Sequence, residues 1–328
     1  MKLTPTMRHT ILGIAPLDAT TAPGEVRLVS PTVSVIIPTR NRPKYLRASV
    51  ASVCAQTLLP AEILVVDDGT GAEEALRPLL EVARLPIRLL PGPGAGPAAA
   101  RNVGLEAACG DLIALLDDDD LWHPEKLAWQ VAWMERRPDL GALGTGVLRR
   151  HGLPVMPRLR SKPRRLRPVG RAALVRANRL TTSSVIVRRE CFDACGGFDE
   201  SLLLAQDWEM WLRIARQWTV AVLPATLTIY RLHDNQRSAY GNEMRRWEAQ
   251  VIGRVLEGEE AALHGLARRR LAWAHCRLGR GLLREQKPGQ AVQVLWQSLA
   301  LNPLNPLTWG ALARCALQHL AVAGASRL

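Results

Sequence analysis

The chain has 328 residues, of which 48% are hydrophobic and 22% are charged, and its formal net charge is +13. This balance is typical of a folded globular protein and excludes a wholly disordered chain. The sequence contains no run of 18 or more apolar residues, so no transmembrane helix is expected. Residues 1–30 lack the features of a signal peptide and are interpreted as a loose leader. The six scattered cysteines indicate neither a zinc site nor a disulfide framework. We therefore expect a cytoplasmic protein.

Short apolar runs alternate with helix-like segments in the first half of the chain. Strands are predicted at residues 33–37, 62–66, 86–90 and 112–116, and helices from residue 43, at 72–84, up to 108 and from 124. Strands that alternate with helices of about 10 to 15 residues predict βαβ units and a largely parallel sheet. The glycine-rich residues 92–96 are interpreted as a flexible loop before a helix.

The second half of the chain changes from a mixed pattern to helices alone. A strand is predicted at 181–187, a helix at 207–217 and a final pair of short strands within 220–230. From about residue 242, five residues have the spacing of a tetratricopeptide repeat: Leu278, Gly279, Ala291, Leu295 and Pro303. About one and a half such units are covered, so we expect this region to dock on the main domain. A simple helical cap is the alternative. The predicted domains are residues 31–240 and 241–328.

Polar side chains follow three predicted strands, at Thr39–Asn41, Asp67–Asp68 and Asp117–Asp120. Ligands bind at this carboxyl edge in open α/β sheets. Four consecutive aspartates repel one another unless a cation neutralises them, and their hard oxygen ligands favour Mg²⁺ or Mn²⁺. Asp120 has the alternative role of capping the helix predicted from Pro124. The pattern therefore predicts an enzyme or a nucleotide-binding protein with a metal site.

A basic segment, residues 149–179, contains eleven Lys and Arg residues and no acidic residue. Such a segment attracts polyanions or an anionic lipid surface. A solvated loop is an equally weighted alternative. No aromatic residue stands between these basic residues to stack on bases, so nucleic-acid binding is not expected.

Four motifs stand in order along the main domain: Val33–Leu46 (VSVIIPTRNRPKYL), Val65–Gly69 (VVDDG), Ala100–Asn102 (ARN) and Leu116–Pro124 (LDDDDLWHP). Together they resemble the family 2 glycosyltransferases, over about residues 31–240. The resemblance implies a GT-A fold, in which a mostly parallel Rossmann-like sheet is flanked by helices. It also implies a metal-dependent, inverting transfer from a nucleotide-sugar donor to a saccharide or lipid-linked acceptor, in cell-surface polysaccharide or glycolipid synthesis.

The same resemblance assigns residues to the donor site. The backbone at Pro38 and Thr39 would line the pocket for the nucleotide base, and Asp68 would contact the base. Asp117 and Asp118 would reach toward the ribose, and Asp119 would bind Mn²⁺ or Mg²⁺. Two more residues are assigned to the donor: Arg101 of the third motif, and His233, which matches a histidine that contacts the diphosphate or the metal.

The general base is expected at Asp207. The family usually has a Glu-Asp pair before a tryptophan at the start of a helix, and this chain has Gln206-Asp207-Trp208, so Gln206 departs from the pattern. An Asp207 that merely caps its helix is the alternative. The rival function is a non-catalytic scaffold or binding protein built on a degenerate transferase domain, against which the intact Asp117–Asp119 and Asp207 argue.

Overall fold

The computed structural model describes residues 30–151, 163–233, 241–258 and 261–325, with side chains to residue 316. The predicted leader, up to residue 29, and residues 152–162 of the basic segment lie outside this part. The described strands are β1 (Val33–Thr39), β2 (Glu62–Asp67), β3 (Ile87–Pro91), β4 (Leu112–Leu115), β5 (Leu121–Trp122), β6 (Leu140–His151), β7 (Arg167–Pro168), β8 (Ile186–Arg188) and β9 (Thr219–Leu232). They form one mixed sheet in the order β3-β2-β1-β4-β8-β6-β9-β5, with β7 paired to β9.

The first four strands form the parallel half of the sheet, as predicted. β1 pairs in parallel with both β2 and β4, and β2 pairs in parallel with β3. All seven residues of β1 are buried, which is typical of a parallel strand covered on both faces. The connecting helices are α1 (Pro43–Cys54), α2 (Ala72–Leu80) and α3 (Pro97–Ala107). Pro43 lies in the first turn of α1, where its missing N–H costs no hydrogen bond.

The second half of the sheet contains four antiparallel pairings. β8 is antiparallel to β4 and β6, and β9 is antiparallel to β5 and β7. The strand predicted at 181–187 is instead a 3-10 turn, Thr182–Ser184, followed by β8, because Thr and Ser side chains favour turns. The predicted pair of strands within 220–230 is one continuous strand, β9. Its pairing with β6 shifts register near Thr145 and Gly146, so β9 continues past the break in its own apolar pattern.

The remaining described helices are α4 (Lys126–Arg136), α5 (Arg171–Arg176), α6 (Arg189–Cys195), α7 (Gln206–Ile214), α8 (Gly241–Glu257), α9 (Ala261–Arg284), α10 (Pro288–Leu301) and α11 (Pro306–Ala325). Val251, Ile252 and Ala267 of α8 and α9 belong to the same buried apolar cluster as Trp208 and Trp211 of α7. The expected docking of the helical region on the sheet domain is therefore present. None of the described helices has the length and apolarity needed to cross a bilayer.

Candidate active site

A cleft of about 400 Å³ opens at the carboxyl ends of β1, β2 and β4. A second part of its wall is the loop Leu203–Ala205 and the start of α7, and Met244 of α8 also lines it. Eight of the nine predicted site residues line this cleft: Pro38, Thr39, Asp68, Arg101, Asp117, Asp118, Asp119 and Asp207. The ninth, His233, reaches it through a contact of 3.0 Å between its Nε2 and Oδ2 of Asp119.

Asp118 is held between a hydroxyl and a guanidinium group. Its Oδ2 accepts a hydrogen bond of 2.7 Å from Oγ1 of Thr39, and its Oδ1 accepts one of 3.1 Å from Nη1 of Arg42. Burial, followed by the negative charge of Asp119, raises the pKa of Asp118 to about 6, although Arg42 and Thr39 oppose the rise. The ionised form of Asp118 is therefore disfavoured by burial and by Asp119, and it is stabilised by Arg42 and Thr39.

Asp119 lies at the centre of the charged groups. Nη1 of Arg42 donates to its Oδ2 at 2.8 Å, the same oxygen that His233 contacts. The imidazole of His233 stacks on the ring of Tyr45, with 4.9 Å between the ring centroids. Tyr45 belongs to α1 and His233 follows β9, so the contact brings the first and second halves of the sheet domain together at Asp119.

Arg231 of β9 holds the backbone of Asp117–Asp120 by hydrogen bonds. Its side chain donates to the carbonyl oxygens of Asp119 and Asp118, and its backbone N–H donates to Oδ1 of Asp120 at 3.1 Å. Asp120 is fully buried and does not cap α4, whose N-cap is Glu125. The proposed capping role of Asp120 is therefore wrong, because its carboxylate turns inward toward β9.

The aspartate cluster has the composition of a divalent-cation site. Carboxylate oxygens of Asp117, Asp119 and Asp120 all lie within 4.8 Å of one another. Oδ2 of Asp120 is buried and accepts no well-formed hydrogen bond from the described residues. Burial and the charges of Asp119 and Asp117 raise the pKa of Asp120 well above its ordinary value, while Ser183 and the Arg231 N–H oppose the rise. An oxygen-rich set with one unsatisfied buried oxygen fits Mn²⁺ or Mg²⁺.

Arg101 connects the aspartate cluster to the wall that carries Asp207. Its Nη2 lies 2.5 Å from Oδ1 of Asp117, and its guanidinium stands over the ring of Phe198 at 5.5 Å. Burial raises the pKa of Asp207, and the positive charge of Arg101 opposes part of that rise. Arg101 therefore acts electrostatically on both Asp117 and Asp207.

Asp68 organises the glycine-rich loop. Its carboxylate accepts hydrogen bonds from the backbone N–H groups of Gly94, at 2.7 Å, and Gly96, at 2.9 Å. Gly96 has a φ of 100°, a backbone conformation that favours glycine. The geometry of this loop therefore requires a glycine at position 96. The loop predicted to be flexible is thus attached to the cleft through Asp68.

Asp207 is the second residue of α7, on the wall beyond Arg101. Its Oδ2 accepts hydrogen bonds of 3.0 Å from both Asn178 and Thr182, and its Oδ1 accepts one of 2.7 Å from the N–H of Trp208. The N-cap position is Ala205, so Asp207 is not the cap. Burial raises the pKa of Asp207, which makes its carboxylate a better proton acceptor than an exposed aspartate.

Ala205 has the left-handed backbone conformation, with a φ of 61°. A residue with a side chain adopts this region at an energetic cost, and such residues cluster at functional sites. Here the turn directs the chain from the cleft wall into α7, and it brings Asp207 to the cleft.

Four residues of the site were not singled out from the sequence: Arg42, Asn178, Thr182 and Arg231. Arg42 lies inside the first motif, next to the polar residues Thr39–Asn41, and this position was the available signal. Arg231 lies two residues before His233, the residue of this segment that the family resemblance assigns. Asn178 and Thr182 carried no signal, since their role depends on a contact with α7 across the fold.

Comparison with known proteins gives the class of this domain. Residues 34–192 match the sequence profile described as "Glycosyl transferase family 2". The chain therefore contains a glycosyltransferase family 2 domain, and the resemblance drawn from the motifs is confirmed.

Two curated relatives illustrate the range of similarity. The uncharacterized glycosyltransferase YwdF of Bacillus subtilis is 28% identical over 66% of this chain and 81% of its own length. WfgD of Escherichia coli, named as a UDP-Glc:alpha-D-GlcNAc-diphosphoundecaprenol beta-1,3-glucosyltransferase, is 40% identical over 31% of this chain and 40% of its own length. Other relatives are longer, and the chain aligns with 17% of the length of an uncharacterized glycosyltransferase of Rickettsia felis.

Solved structures share the fold. TarS 1-349 of S. aureus, in complex with UDP-GlcNAc, has a TM-score of 0.62 and 20% identity, and the match covers 82% of this chain and 81% of that one. The mannosyltransferase PcManGT of Pyrobaculum calidifontis, in complex with GDP-Man and Mn2+, has a TM-score of 0.58 and 21% identity, over 89% and 88%. The predicted GT-A fold is confirmed by these matches.

Proposed function

We propose that this protein is a metal-dependent, inverting glycosyltransferase that moves a sugar from a nucleotide-sugar donor to a hydroxyl group of a saccharide or lipid-linked acceptor. One observation carries the proposal. The carboxylate of Asp207 and the aspartate cluster Asp117–Asp119 line the same cleft, with Arg101 between them. A donor held by the cluster would therefore present its sugar to a base on the opposite wall.

In this proposal the reaction is a single displacement. An acceptor hydroxyl loses its proton to a carboxylate oxygen of Asp207 while its oxygen forms a bond to the anomeric carbon of the donor sugar. The bond between the anomeric carbon and the diphosphate oxygen breaks, and the nucleoside diphosphate leaves. Asn178 and Thr182 hold the Asp207 carboxylate in a fixed orientation for this transfer. The configuration at the anomeric carbon inverts.

The donor would bind along the ends of β1, β2 and β4. Pro38, Thr39 and Asp68 would contact the base, and Asp118 would face the ribose. A Mn²⁺ or Mg²⁺ ion held by Asp119, with Asp117 and Asp120, would neutralise the charge that develops on the leaving diphosphate. Arg101, Arg42 and His233 would supply further positive charge or hydrogen bonds near the same phosphates.

Two observations support a lipid-linked acceptor and a role in polysaccharide or glycolipid synthesis at the inner face of the membrane. The name of WfgD specifies a diphosphoundecaprenol-linked acceptor. The basic segment, residues 149–179, would hold an anionic surface near the acceptor side, because its Asn178 contacts Asp207. We propose peripheral attachment of a cytoplasmic protein.

The experiment combines a ligand screen with a turnover assay. UDP-, GDP-, TDP- and CMP-sugars are tested by thermal shift with and without Mn²⁺, and release of the nucleotide is then measured for wild type and Asp207→Asn. We expect one donor to stabilise the protein in a Mn²⁺-dependent way, and turnover to require Asp207. A scaffold built on a degenerate domain would bind the donor but show no turnover in either protein. Inversion is tested by NMR of the product, which shows whether the new glycosidic bond at the anomeric carbon is axial or equatorial.

A further inference from the structure

Trp208, the residue after Asp207, is clamped from two sides. Its Nε1–H donates a hydrogen bond of 2.7 Å to the carbonyl oxygen of Leu174 in α5. The guanidinium of Arg270, from α9 of the helical region, stands over its ring with 5.3 Å between Cζ and the ring centroid. Trp208 is 2% exposed, so both contacts are shielded from water. The first turn of α7 is thus attached to α5 on one side and to the helical region on the other.

Arg270 joins four separate segments of the chain. Its Nε–H donates to the carbonyl oxygen of Arg176 at the end of α5, at 2.8 Å, and its Nη2 lies 3.0 Å from Oε2 of Glu248 in α8. A second indole ring, that of Trp273, lies 4.6 Å from Cζ. The side chain of Arg270 is 9% exposed. A planar guanidinium with fixed donor directions holds such partners more strictly than a flexible ammonium group does.

The partners of Arg270 also support the other contact of Asp207. Arg176 ends α5, and Asn178, two residues later, donates to the Asp207 carboxylate. Displacement of Arg270 would therefore release both the Trp208 ring and the segment that leads to Asn178. Two groups that donate to the Asp207 carboxylate, the N–H of Trp208 and the amide of Asn178, thus belong to a residue that Arg270 contacts and to a residue two positions after one.

We propose that Arg270 is a positioning residue for Asp207, through which the helical region forms a working part of the transferase rather than an appended module. The role of Asp207 as base rests on the proposed function. The contact network itself does not, so the two can be tested separately. Catalytic groups need to be held within about 1 Å, since larger displacements cost on the order of 10²-fold in rate.

Arg277 provides a matched control. Its guanidinium lies over the same Trp273 ring, also at 4.6 Å, but in the described contacts it does not join α5 or α7. Arg277→Ala therefore removes an arginine from the same indole and the same helix. Arg270→Lys keeps the charge and the reach toward Glu248 but loses the planar fork, and Glu248→Gln removes the ion pair while keeping Arg270.

The test uses full-length wild type, Arg270→Ala, Arg270→Lys, Glu248→Gln and Arg277→Ala, all checked for cooperative thermal unfolding. Hydrogen–deuterium exchange without ligand reports on the hydrogen-bonded amides 209–212 of α7. We expect them to exchange at least about tenfold faster in Arg270→Ala, at intermediate rates in Arg270→Lys and Glu248→Gln, and at wild-type rates in Arg277→Ala. The amides of β1 should not change in any variant.

Turnover of UDP-glucose with Mn²⁺, or of the donor that the screen selects, provides the second readout. Arg270→Ala should lower kcat at least about tenfold while KM for the donor stays within twofold, because positioning of the base does not affect the donor cluster. Wild-type exchange in α7 of Arg270→Ala, or equal effects in Arg277→Ala, would overturn the proposal. If wild type itself shows no turnover, the proposed function fails, and the exchange data alone decide the role of Arg270. If Arg270→Ala does not fold, Glu248→Gln and Arg270→Lys carry the same comparison.

Discussion

The two walls of the cleft are built by different means. On the proposed donor side, the candidate residues follow two parallel strands that flank β1: Asp68 follows β2, and Asp117–Asp119 follow β4. On the acceptor side, Asp207 lies at the start of a helix and depends on α5 and α9 for its environment. The donor wall is therefore determined mainly by where strands end, and the acceptor wall by contacts between segments far apart in the chain. Changes on the two walls should have separable effects.

The largest effect is expected from the donor wall. Asp119→Asn keeps the shape of the side chain but removes the charge that would hold a cation, and we expect turnover to fall by about 10⁴-fold, since a bound metal stabilises the leaving group by several kcal/mol. Turnover is measured at saturating donor with varied Mn²⁺. A variant with normal turnover and normal Mn²⁺ dependence would show that Asp119 is not a ligand.

A change on the acceptor wall should leave donor binding intact. Asp207→Asn preserves the hydrogen-bond geometry in part but cannot accept a proton, so we expect kcat to fall by about 10² to 10⁴. The dissociation constant of the nucleoside diphosphate should stay within twofold. If kcat stayed within a few-fold of wild type, the base would be another residue.

The pH dependence of turnover should come from the same carboxylate. Because burial raises the pKa of Asp207, the base form is lost as pH falls through a value above the ordinary 3.8. The acid limb of kcat should therefore lie at higher pH than that of an exposed aspartate, and it should disappear from the residual activity of Asp207→Asn. Steady-state kinetics across a range of pH test this at saturating Mn²⁺ and donor, which would keep the cluster containing Asp118 ionised, and an acid limb retained in the variant would contradict it.

Asp118 predicts an effect on stability with a definite sign. Its folded pKa of about 6 lies above the ordinary 3.8, so its contribution to stability is present at low pH and is lost as pH rises through about 6. In metal-free protein, Asp118→Asn should be more stable than wild type at pH 8 by about 1 to 3 kcal/mol, or a few degrees in Tm. The difference should shrink toward pH 5. A variant that is less stable at pH 8 would contradict the account.

An effect of similar size to that of Asp118→Asn, on membrane attachment alone, is expected from the basic segment. Arg164, Arg165 and Arg167 are exposed among its described residues, and each should contribute about 1 kcal/mol to attachment at an anionic bilayer. Their joint replacement by Gln should weaken co-sedimentation with anionic vesicles at low salt. Equal recovery with neutral and anionic vesicles would instead identify the segment as a solvated loop.

The difference between the walls also explains what the sequence could predict. β1 and β2 are recognisable because β-branched runs end abruptly at polar residues, and the same ends predict the aspartate site. β6 was not predicted, because Gly141, Gly144 and Gly146 interrupt its apolar pattern, and it is stabilised as a strand by pairing with β8 and β9.

The acceptor wall shows the limit of local patterns most clearly. Asp207 could be assigned through a family resemblance, but its partners Asn178 and Thr182 could not, because nothing in their own neighbourhood indicates a contact 25 or more residues away. Arg270 is similar. Nothing in its own neighbourhood indicates its contacts with Trp208 and Glu248, on which its proposed role depends.

The central claim is that the metal site lies on one wall of the cleft and the base on the other, and one calorimetric titration tests it most directly. UDP or the preferred nucleoside diphosphate is added to wild type, Asp119→Asn and Asp207→Asn, with and without Mn²⁺. We predict that Mn²⁺ tightens nucleotide binding at least about tenfold in wild type and in Asp207→Asn, and has no effect in Asp119→Asn. Mn²⁺-dependent tightening that persists in Asp119→Asn, or is lost in Asp207→Asn, would contradict the account.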